Sequence, residues 1–212
     1  MTFMQHLRSP FRHTNGNATL IIIGINVLVY AFLSFARGAA IYLALIPGAV
    51  IQMGWVWQPF TYMFVHASFT HLLFNMLGLF FFGMAVEREM GSREFVLFYL
   101  LSGTVAGLLS FAAFAIGGAW NVSLVGASGA VYAILLAFAV IHPRARIFVW
   151  GLVPVPSALL VAIFAGIELW SEVFGMGGNI AHLTHLFGFG VAGLYFPIRF
   201  GVNPIRRLIS GQ

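Results

Sequence analysis

The chain has 212 residues, of which 61% are hydrophobic and only 7% are charged, and its formal net charge is +5. Because soluble domains carry about 25% charged residues, this composition excludes a soluble globular protein and a disordered chain. Membrane β-barrels alternate over segments of about ten residues, whereas the apolar runs here are long and continuous, so the sequence predicts an all-α polytopic membrane protein.

Six apolar runs are candidate transmembrane helices, each of which needs about 20 residues, or somewhat fewer when partly buried in protein. The upper part of the second run is expected to be loop, and Pro143 ends the fourth. The first loop, residues 36–59, is apolar but broken by Pro47, Gly48 and Gly54, which predicts a segment at the membrane interface rather than a seventh span. In chain order the runs cover residues 19–35, 60–86, 95–116, 128–141, 157–174 and 181–200.

The arginines between these runs predict the orientation, because cytoplasmic loops carry an excess of positive charge. With six spans, nine of the ten arginines fall on one side, and only Arg37 falls on the other. We therefore expect both termini in the cytoplasm and no nucleic-acid binding. The predicted parts are a cytoplasmic N-terminal segment (1–18), a six-helix transmembrane domain (19–200) and a cytoplasmic C-terminal tail (201–212).

Polar residues of three predicted spans lie at a similar depth. At about 1.5 Å per residue above the nearest arginine, Ser128 lies ~24 Å up, His185 ~21 Å, His182 ~25 Å, Asn75 ~20 Å and His71 ~25 Å. The hydrocarbon is about 30 Å thick, which puts this layer several ångström below the outer surface. Intramembrane polar residues are costly and usually face the bundle interior, so these five are candidate functional residues.

The surroundings of Ser128 suit a nucleophile and also a plain helix cap. The residue lies in Gly126–Ala130 at the start of a short predicted helix, where the N-terminus favours negative charge. The segment is a looser form of the hydrolase motif G-x-S-x-G. Small residues at four-residue spacing in spans four and six would let these helices pack closely and bring Ser128 and His185 within reach. Tyr132, one turn below Ser128, is either part of this site or an ordinary packed aromatic.

The residue types that the chain lacks exclude several kinds of catalytic and metal site. The chain has no Cys, Lys or Asp, which excludes thiolate metal sites, a Ser-Lys pair and a Ser-His-Asp triad. Glu168 and Glu172, near the outer end of span five, are expected to be structural or interfacial rather than catalytic.

The histidines leave a metal site as a further possibility. His182 and His185 are spaced i, i+3 on one helix, and His66 and His71 could join them. No His-Glu-x-x-His motif occurs, so we expect no metal and no cofactor.

Four segments, in this order and on spans two, four and six, resemble a known family. They are His66–Asn75, Gly83–Gly91, Gly126–Tyr132 and His182–Gly188. Together they resemble the rhomboid family of intramembrane serine proteases, and the resemblance extends from the first span to the sixth. It implies a six-transmembrane-helix rhomboid-like bundle.

The resemblance also implies roles for individual residues. Ser128 matches the nucleophile and His185 the general base of a Ser-His dyad, which agrees with the absence of Asp. His71 and Asn75 match the side chains of the oxyanion hole, with the Ser128 N–H as a further donor. Supporting positions are the imidazole-stacking Tyr132, Gly126 beside the nucleophile, Gly188 where span six approaches span four, the first-loop His66, and the structural motif of Gly83, Glu87 and Gly91.

Two positions depart from the family pattern. Gln58 follows Trp57 where the family often carries Arg, which concerns the anchoring of the first loop. Phe187 stands where the family often has Gly, which leaves His182 as an alternative base. His185 is preferred because it lies three residues before Gly188 and nearer the expected level of Ser128.

The expected function is an intramembrane serine endopeptidase that cleaves other membrane proteins in or near their transmembrane segments. Its expected partners are these transmembrane substrates and membrane lipids. A bacterial inner membrane is the expected location, with the site open to the extracytoplasmic side. The alternatives are a non-catalytic rhomboid-like protein that binds membrane clients and, less favoured, a small transporter.

Overall fold

A computed structural model describes residues 9–149, 151–174 and 181–210 of the chain, and it is mostly helical. The short turns Arg37–Ala39 and Tyr62–Phe64 are 3₁₀-helical. The helices are α1 (Ala18–Phe35), α2 (Ala40–Leu43), α3 (Pro47–Met53), α4 (Gln58–Thr61), α5 (Phe69–Met90), α6 (Ser92–Ile116), α7 (Ser128–Ile141), α8 (Ser157–Phe174), α9 (Ala181–Phe200) and α10 (Pro204–Ser210).

Four of these helices, α1, α5, α6 and α8, are long and apolar enough to cross a membrane, and α7 is a shorter apolar helix. The helices α7, α8 and α9 have the predicted bounds within the described residues. The loop predicted at residues 175–180 lies outside them.

The second predicted span, residues 60–86, has different bounds in the structure. Its helix starts only at Phe69, because Ser68 caps it by accepting a hydrogen bond from the His71 N–H. It continues to Met90 and ends at Gly91, whose φ of 83° favours glycine. Within it, Leu79–Gly83 is π-helical.

The expectation of a purely helical protein needs one correction, a short antiparallel hairpin between α7 and α8. Its strands are β1 (Arg146–Val149) and β2 (Val153–Pro156), paired from Arg146 opposite Pro156 to Val149 opposite Val153. Pro143 disfavours further helix after His142, and the prolines of β2 hold the chain extended.

The small helix α7 lies at the centre of the described bundle, packed against α6 and α9. Gly129, Ala130, Ala133 and Ala137 on α7 are buried. A Cβ atom at Gly188 of α9 would lie 2.1 Å from the carbonyl oxygen of Gly129, so the two helix backbones touch there. This contact positions the start of α7 beside the start of α9.

Two buried glutamates tie the helix ends together at the opposite end of the bundle. Glu87 accepts hydrogen bonds from the backbone N–H groups of Ala18 and Thr19 at 2.8 Å, and from the Ser92 hydroxyl at 2.6 Å. It thereby joins the start of α1, the end of α5 and the start of α6. Glu94 on α6 binds the Arg199 side chain of α9 at 2.6 Å.

The first loop is anchored from inside by Gln58, which is fully buried. Its side-chain Nε2 donates to the Ile41 carbonyl and its Oε1 accepts from the Ile46 N–H, both at 3.0 Å. Leu45 bridges to Leu124 through backbone hydrogen bonds of 2.9 and 3.0 Å. The first loop therefore holds the segment that leads into α7, and Gln58 contributes to the anchoring of that loop.

Candidate active site

Ser128 is the first residue of α7, and a tight bend presents it there. Gly126 just before it has a φ of 119°, and its N–H donates to the Tyr62 carbonyl at 3.0 Å. A Cβ atom at Gly126 would lie 2.7 Å from the His71 ring. Conformation and space therefore both favour glycine at this position.

His185 lies on the first turns of α9 and faces Ser128. Its Nε2 atom is 2.7 Å from the Ser128 Oγ, which is hydrogen-bonding distance. The Tyr132 ring stacks on the imidazole, with the ring centroids 4.2 Å apart and the planes 8° from parallel. The structure thus brings together three of the predicted site residues around one imidazole.

Glu168 of α8 also belongs to this group, although the sequence did not predict it there. Its side chain is buried, with 4% relative exposure, and its Oε1 lies 2.9 Å from the Nδ1 of His185. Tyr132 donates its hydroxyl to the same oxygen, and the Nδ1 of His182 contacts Oε2. Of the two expected roles, structural or interfacial, burial excludes the interfacial one for Glu168, whereas Glu172 one turn on is exposed.

The contact between Glu168 and His185 has the distance of an ion pair but is poorly aligned as a hydrogen bond, since Nδ1 has no well-aligned partner. A signal for it existed in the sequence, because an acidic residue inside a predicted span is a functional candidate by default.

His182 lies on the far side of the Glu168 carboxylate. Its Nδ1 contacts Glu168, whereas the imidazole nitrogen that contacts Ser128 belongs to His185. The two candidate bases thus differ in position: one touches the serine and the other touches the acid.

His71 and Asn75 lie on the first turns of α5. The His71 ring packs against Gly126, next to Ser128, as the 2.7 Å approach to a Cβ built there indicates. Asn75 is buried and its Nδ2 donates to the His71 carbonyl at 2.9 Å, so the described geometry links it to His71 rather than directly to Ser128.

His66 precedes α5 and packs its ring against His71, with centroids 5.1 Å apart. Burial, and second the neighbouring His71, lower the pKa of His66 to about 4. It is therefore neutral at neutral pH.

Glu168, His182 and His185 are also the residues that could hold a metal ion, since one donor atom from each lies within 4.8 Å of the others. The fit to a metal is incomplete, because the carboxylate already accepts from Tyr132 and His182, and the outer nitrogen of His185 faces Ser128.

Comparison with known proteins identifies the family. Residues 53–201 match the Rhomboid domain. The chain belongs to the rhomboid family. With its apolar helices, this makes it an integral multi-pass membrane protein.

Three relatives illustrate the similarity. The chain is 30% identical to a rhomboid protease GlpG from Enterobacter sp. over 86% of its own length and 66% of that protein's. It is 29% identical to rhomboid protease GlpG from Haemophilus influenzae, over 83% of the chain and 88% of that protein. It is 34% identical to RHOMBOID-like protein 12, mitochondrial, from Arabidopsis thaliana, over 62% of the chain and 43% of that protein. The chain thus spans from under half to most of the length of these relatives.

Proposed function

We propose that this rhomboid protein is an intramembrane serine endopeptidase. The observation that carries the proposal is the 2.7 Å contact between the Ser128 Oγ at the start of α7 and the His185 Nε2. A hydroxyl paired with an imidazole is the arrangement that activates a serine nucleophile. Family membership and relatives named as rhomboid proteases support the same activity.

In the proposed reaction, Ser128 attacks the carbonyl carbon of the scissile bond while His185 Nε2 takes the hydroxyl proton. The tetrahedral intermediate collapses when His185 delivers that proton to the leaving amine, which leaves the acyl group on Ser128. Water then attacks the ester carbonyl and gives one proton to His185. When the bond from the acyl carbon to the Ser128 Oγ breaks, His185 returns that proton to the Oγ, and the new carboxylic acid is released.

The negative charge on the carbonyl oxygen needs donors in this site. The Ser128 N–H at the start of α7 is one, because the first N–H groups of a helix have no partner within the helix. His71, packed against Gly126, and Asn75 are the proposed side-chain donors.

We further propose six spans, formed by α1, α5, α6, α7, α8 and α9, with both termini in the cytoplasm and the site open to the extracytoplasmic side. The arginine asymmetry supports this orientation. The proposed substrates are transmembrane proteins cut in or near their membrane segments, and the proposed location is a bacterial inner membrane.

The test is cleavage of transmembrane reporter substrates by purified protein in detergent and in liposomes, together with labelling by a serine-reactive fluorophosphonate. Ser128→Ala and His185→Ala should each abolish cleavage and labelling. His182→Ala should keep substantial activity, since His182 contacts Glu168 and not the serine. Ser34→Ala, at an exposed position of α1, is the matched control and should behave as wild type.

Two results would contradict the proposal. Cleavage that persists in Ser128→Ala would show that Ser128 is not the nucleophile. A wild-type protein that binds membrane proteins without cleaving them would support the non-catalytic alternative. An inactive His182→Ala with an active His185→Ala would instead reassign the base.

A further inference from the structure

We propose that Glu168 is a positioning residue for His185, so that the site operates as a Ser-His-Glu triad rather than as the Ser-His dyad that the family resemblance implies. The inference rests on the proposed protease function and concerns how the base is held. It assigns a role to a buried carboxylate that the proposed mechanism does not otherwise use.

The two nitrogens of His185 face two different partners. Nε2 lies 2.7 Å from the Ser128 Oγ, and Nδ1 lies 2.9 Å from the Glu168 Oε1. Because the two nitrogens lie on different edges of one rigid ring, the imidazole stands between the hydroxyl and the carboxylate. Tyr132 stacks on the ring face and limits its rotation out of this plane.

The carboxylate is itself held in place. Its Oε1 accepts from the Tyr132 hydroxyl, and its Oε2 contacts the Nδ1 of His182. A buried carboxylate with 4% exposure is costly unless donors surround it, and here the donors come from α7 and α9 while Glu168 comes from α8. His182 and Tyr132 thus act as supports for Glu168, which explains why two histidines occur three residues apart.

The chemistry follows from the position of one proton. His185 accepts the serine proton on Nε2 only when its resting proton is on Nδ1, and a carboxylate beside Nδ1 favours that tautomer. When Nε2 becomes protonated, the positive imidazolium faces the negative carboxylate at close range. The proton stays on His185 until it passes to the leaving amine, and Glu168 remains ionised throughout.

The mutational test compares Glu168→Gln with Glu172→Gln, an exposed position one turn away on α8. Glu168→Gln keeps the shape but removes the charge, and we expect kcat to fall by roughly 100-fold or more with little change in KM. Fluorophosphonate labelling should slow in parallel, and Glu172→Gln should match wild type. Thermal unfolding in detergent is recorded for both variants, so that a loss of fold is separated from a loss of rate.

A wild-type kcat in a folded Glu168→Gln would overturn the triad, and so would a variant that raises KM alone. If Ser128→Ala is inactive in the same assay, such a result defeats this inference and leaves the proposed protease standing. If Ser128→Ala still cleaves, the proposed function fails first.

The wild-type protein provides a second test that needs no substitution at Glu168. In protein labelled with ¹⁵N-histidine, the neutral His185 should carry its proton on Nδ1, and the signal is assigned by its loss in His185→Asn. A neutral His185 protonated on Nε2 would overturn the proposal.

A chelator tests the alternative that Glu168, His182 and His185 bind a metal ion. Treatment with 1,10-phenanthroline should leave cleavage and labelling unchanged. Loss of activity that zinc restores would make Glu168 a metal ligand instead of an orienting carboxylate and would overturn the proposal.

Discussion

At the scale of single residues, the donors for the oxyanion are the least direct part of the proposed mechanism. His71 touches the bend at Gly126, whereas the amide of Asn75 is hydrogen-bonded to the His71 carbonyl one turn away. That bond uses one of the two N–H groups of the amide, and the other can serve a substrate oxygen. Asn75 is buried, and its hydrogen bond to the His71 carbonyl offsets part of the cost of burying the amide there.

We predict that His71→Ala and Asn75→Ala each lower kcat, by about 10²–10³-fold, because loss of one oxyanion donor has this effect while the others remain. KM should change less, since the donor acts mainly on the transition state. Cleavage kinetics with the reporter substrates measure both parameters. Thr70→Ala, an exposed neighbour on the same helix, is the control. Wild-type rates in both variants would make the two residues purely structural.

Individual residues also show which parts of the site a sequence can predict. The proximity of Ser128 and His185 was expected, because small residues on the facing helices predicted that the helices pack closely. The structure agrees, since a Cβ built at Gly188 would lie only 2.1 Å from the Gly129 carbonyl oxygen. The position of Glu168 was not expected, because it depends on how α8 is rotated about its own axis against α7 and α9. No local pattern in the sequence specifies that rotation.

At the scale of helices, the close packing of α7 against α9 depends on the absence of a side chain at Gly188. A Cβ there would lie 2.1 Å from the Gly129 carbonyl oxygen, a backbone atom that cannot move aside as a side chain does. We predict that Gly188→Ala lowers the free energy of unfolding by about 1–3 kcal/mol and separates His185 from Ser128, with loss of cleavage. Thermal unfolding in detergent and the reporter assay measure the two effects.

Gly190→Ala is the matched control for this prediction, because Gly190 lies on the same helix and a Cβ there meets nothing within 4 Å. It should keep full activity. If Gly188→Ala and Gly190→Ala have the same unfolding temperature and the same cleavage activity, the close approach at Gly188 does not set the packing of α7 against α9.

The first loop gives a second prediction at this scale. Removal of the Gln58 side chain leaves the Ile46 N–H and the Ile41 carbonyl without the partners that they have now. Both bonds are part-buried and Gln58 itself is fully buried, so Gln58→Ala removes two hydrogen bonds together with buried packing and should lower the unfolding temperature clearly. Gln52→Ala, an exposed position on α3, should leave it unchanged. An unchanged unfolding temperature in Gln58→Ala would mean that other contacts anchor the loop.

Helices and strands differ in how well the sequence predicted them. The bounds of α7 and α8 were predicted correctly, because long apolar runs end there at Pro143 and begin again at Ser157. The hairpin between them was missed, since its strands have only four residues each and two of the four residues in β2 are prolines. For the second span a loop was predicted in its upper part, and α5 begins only at Phe69, but the largely apolar character of residues 60–68 did not show where the helix begins.

At the scale of the whole molecule, the length of α7 predicts how deep Ser128 lies in the membrane. Its 14 residues span about 21 Å at 1.5 Å each, which is shorter than the hydrocarbon layer of about 30 Å. If the end of α7 near Arg144 lies at the cytoplasmic surface, Ser128 at the other end lies inside the membrane. In that case the segment of residues 117–127 would descend from the outer side to meet it.

This arrangement predicts the sidedness of the protein, and the chain is well suited to the test because it contains no cysteine. Asn121→Cys lies at an exposed position of the segment before α7, and Ser210→Cys lies at the end of α10, beyond the cluster of arginines. In intact bacterial cells, a membrane-impermeant maleimide should label Asn121→Cys, because the arginine asymmetry predicts that the arginine-rich face lies in the cytoplasm and Asn121 on the outer side. Ser210→Cys should react only after the cells are broken, and retained cleavage activity shows that each variant is folded. Labelling of both positions in intact cells would contradict the six-span topology and, with it, the depth assigned to Ser128.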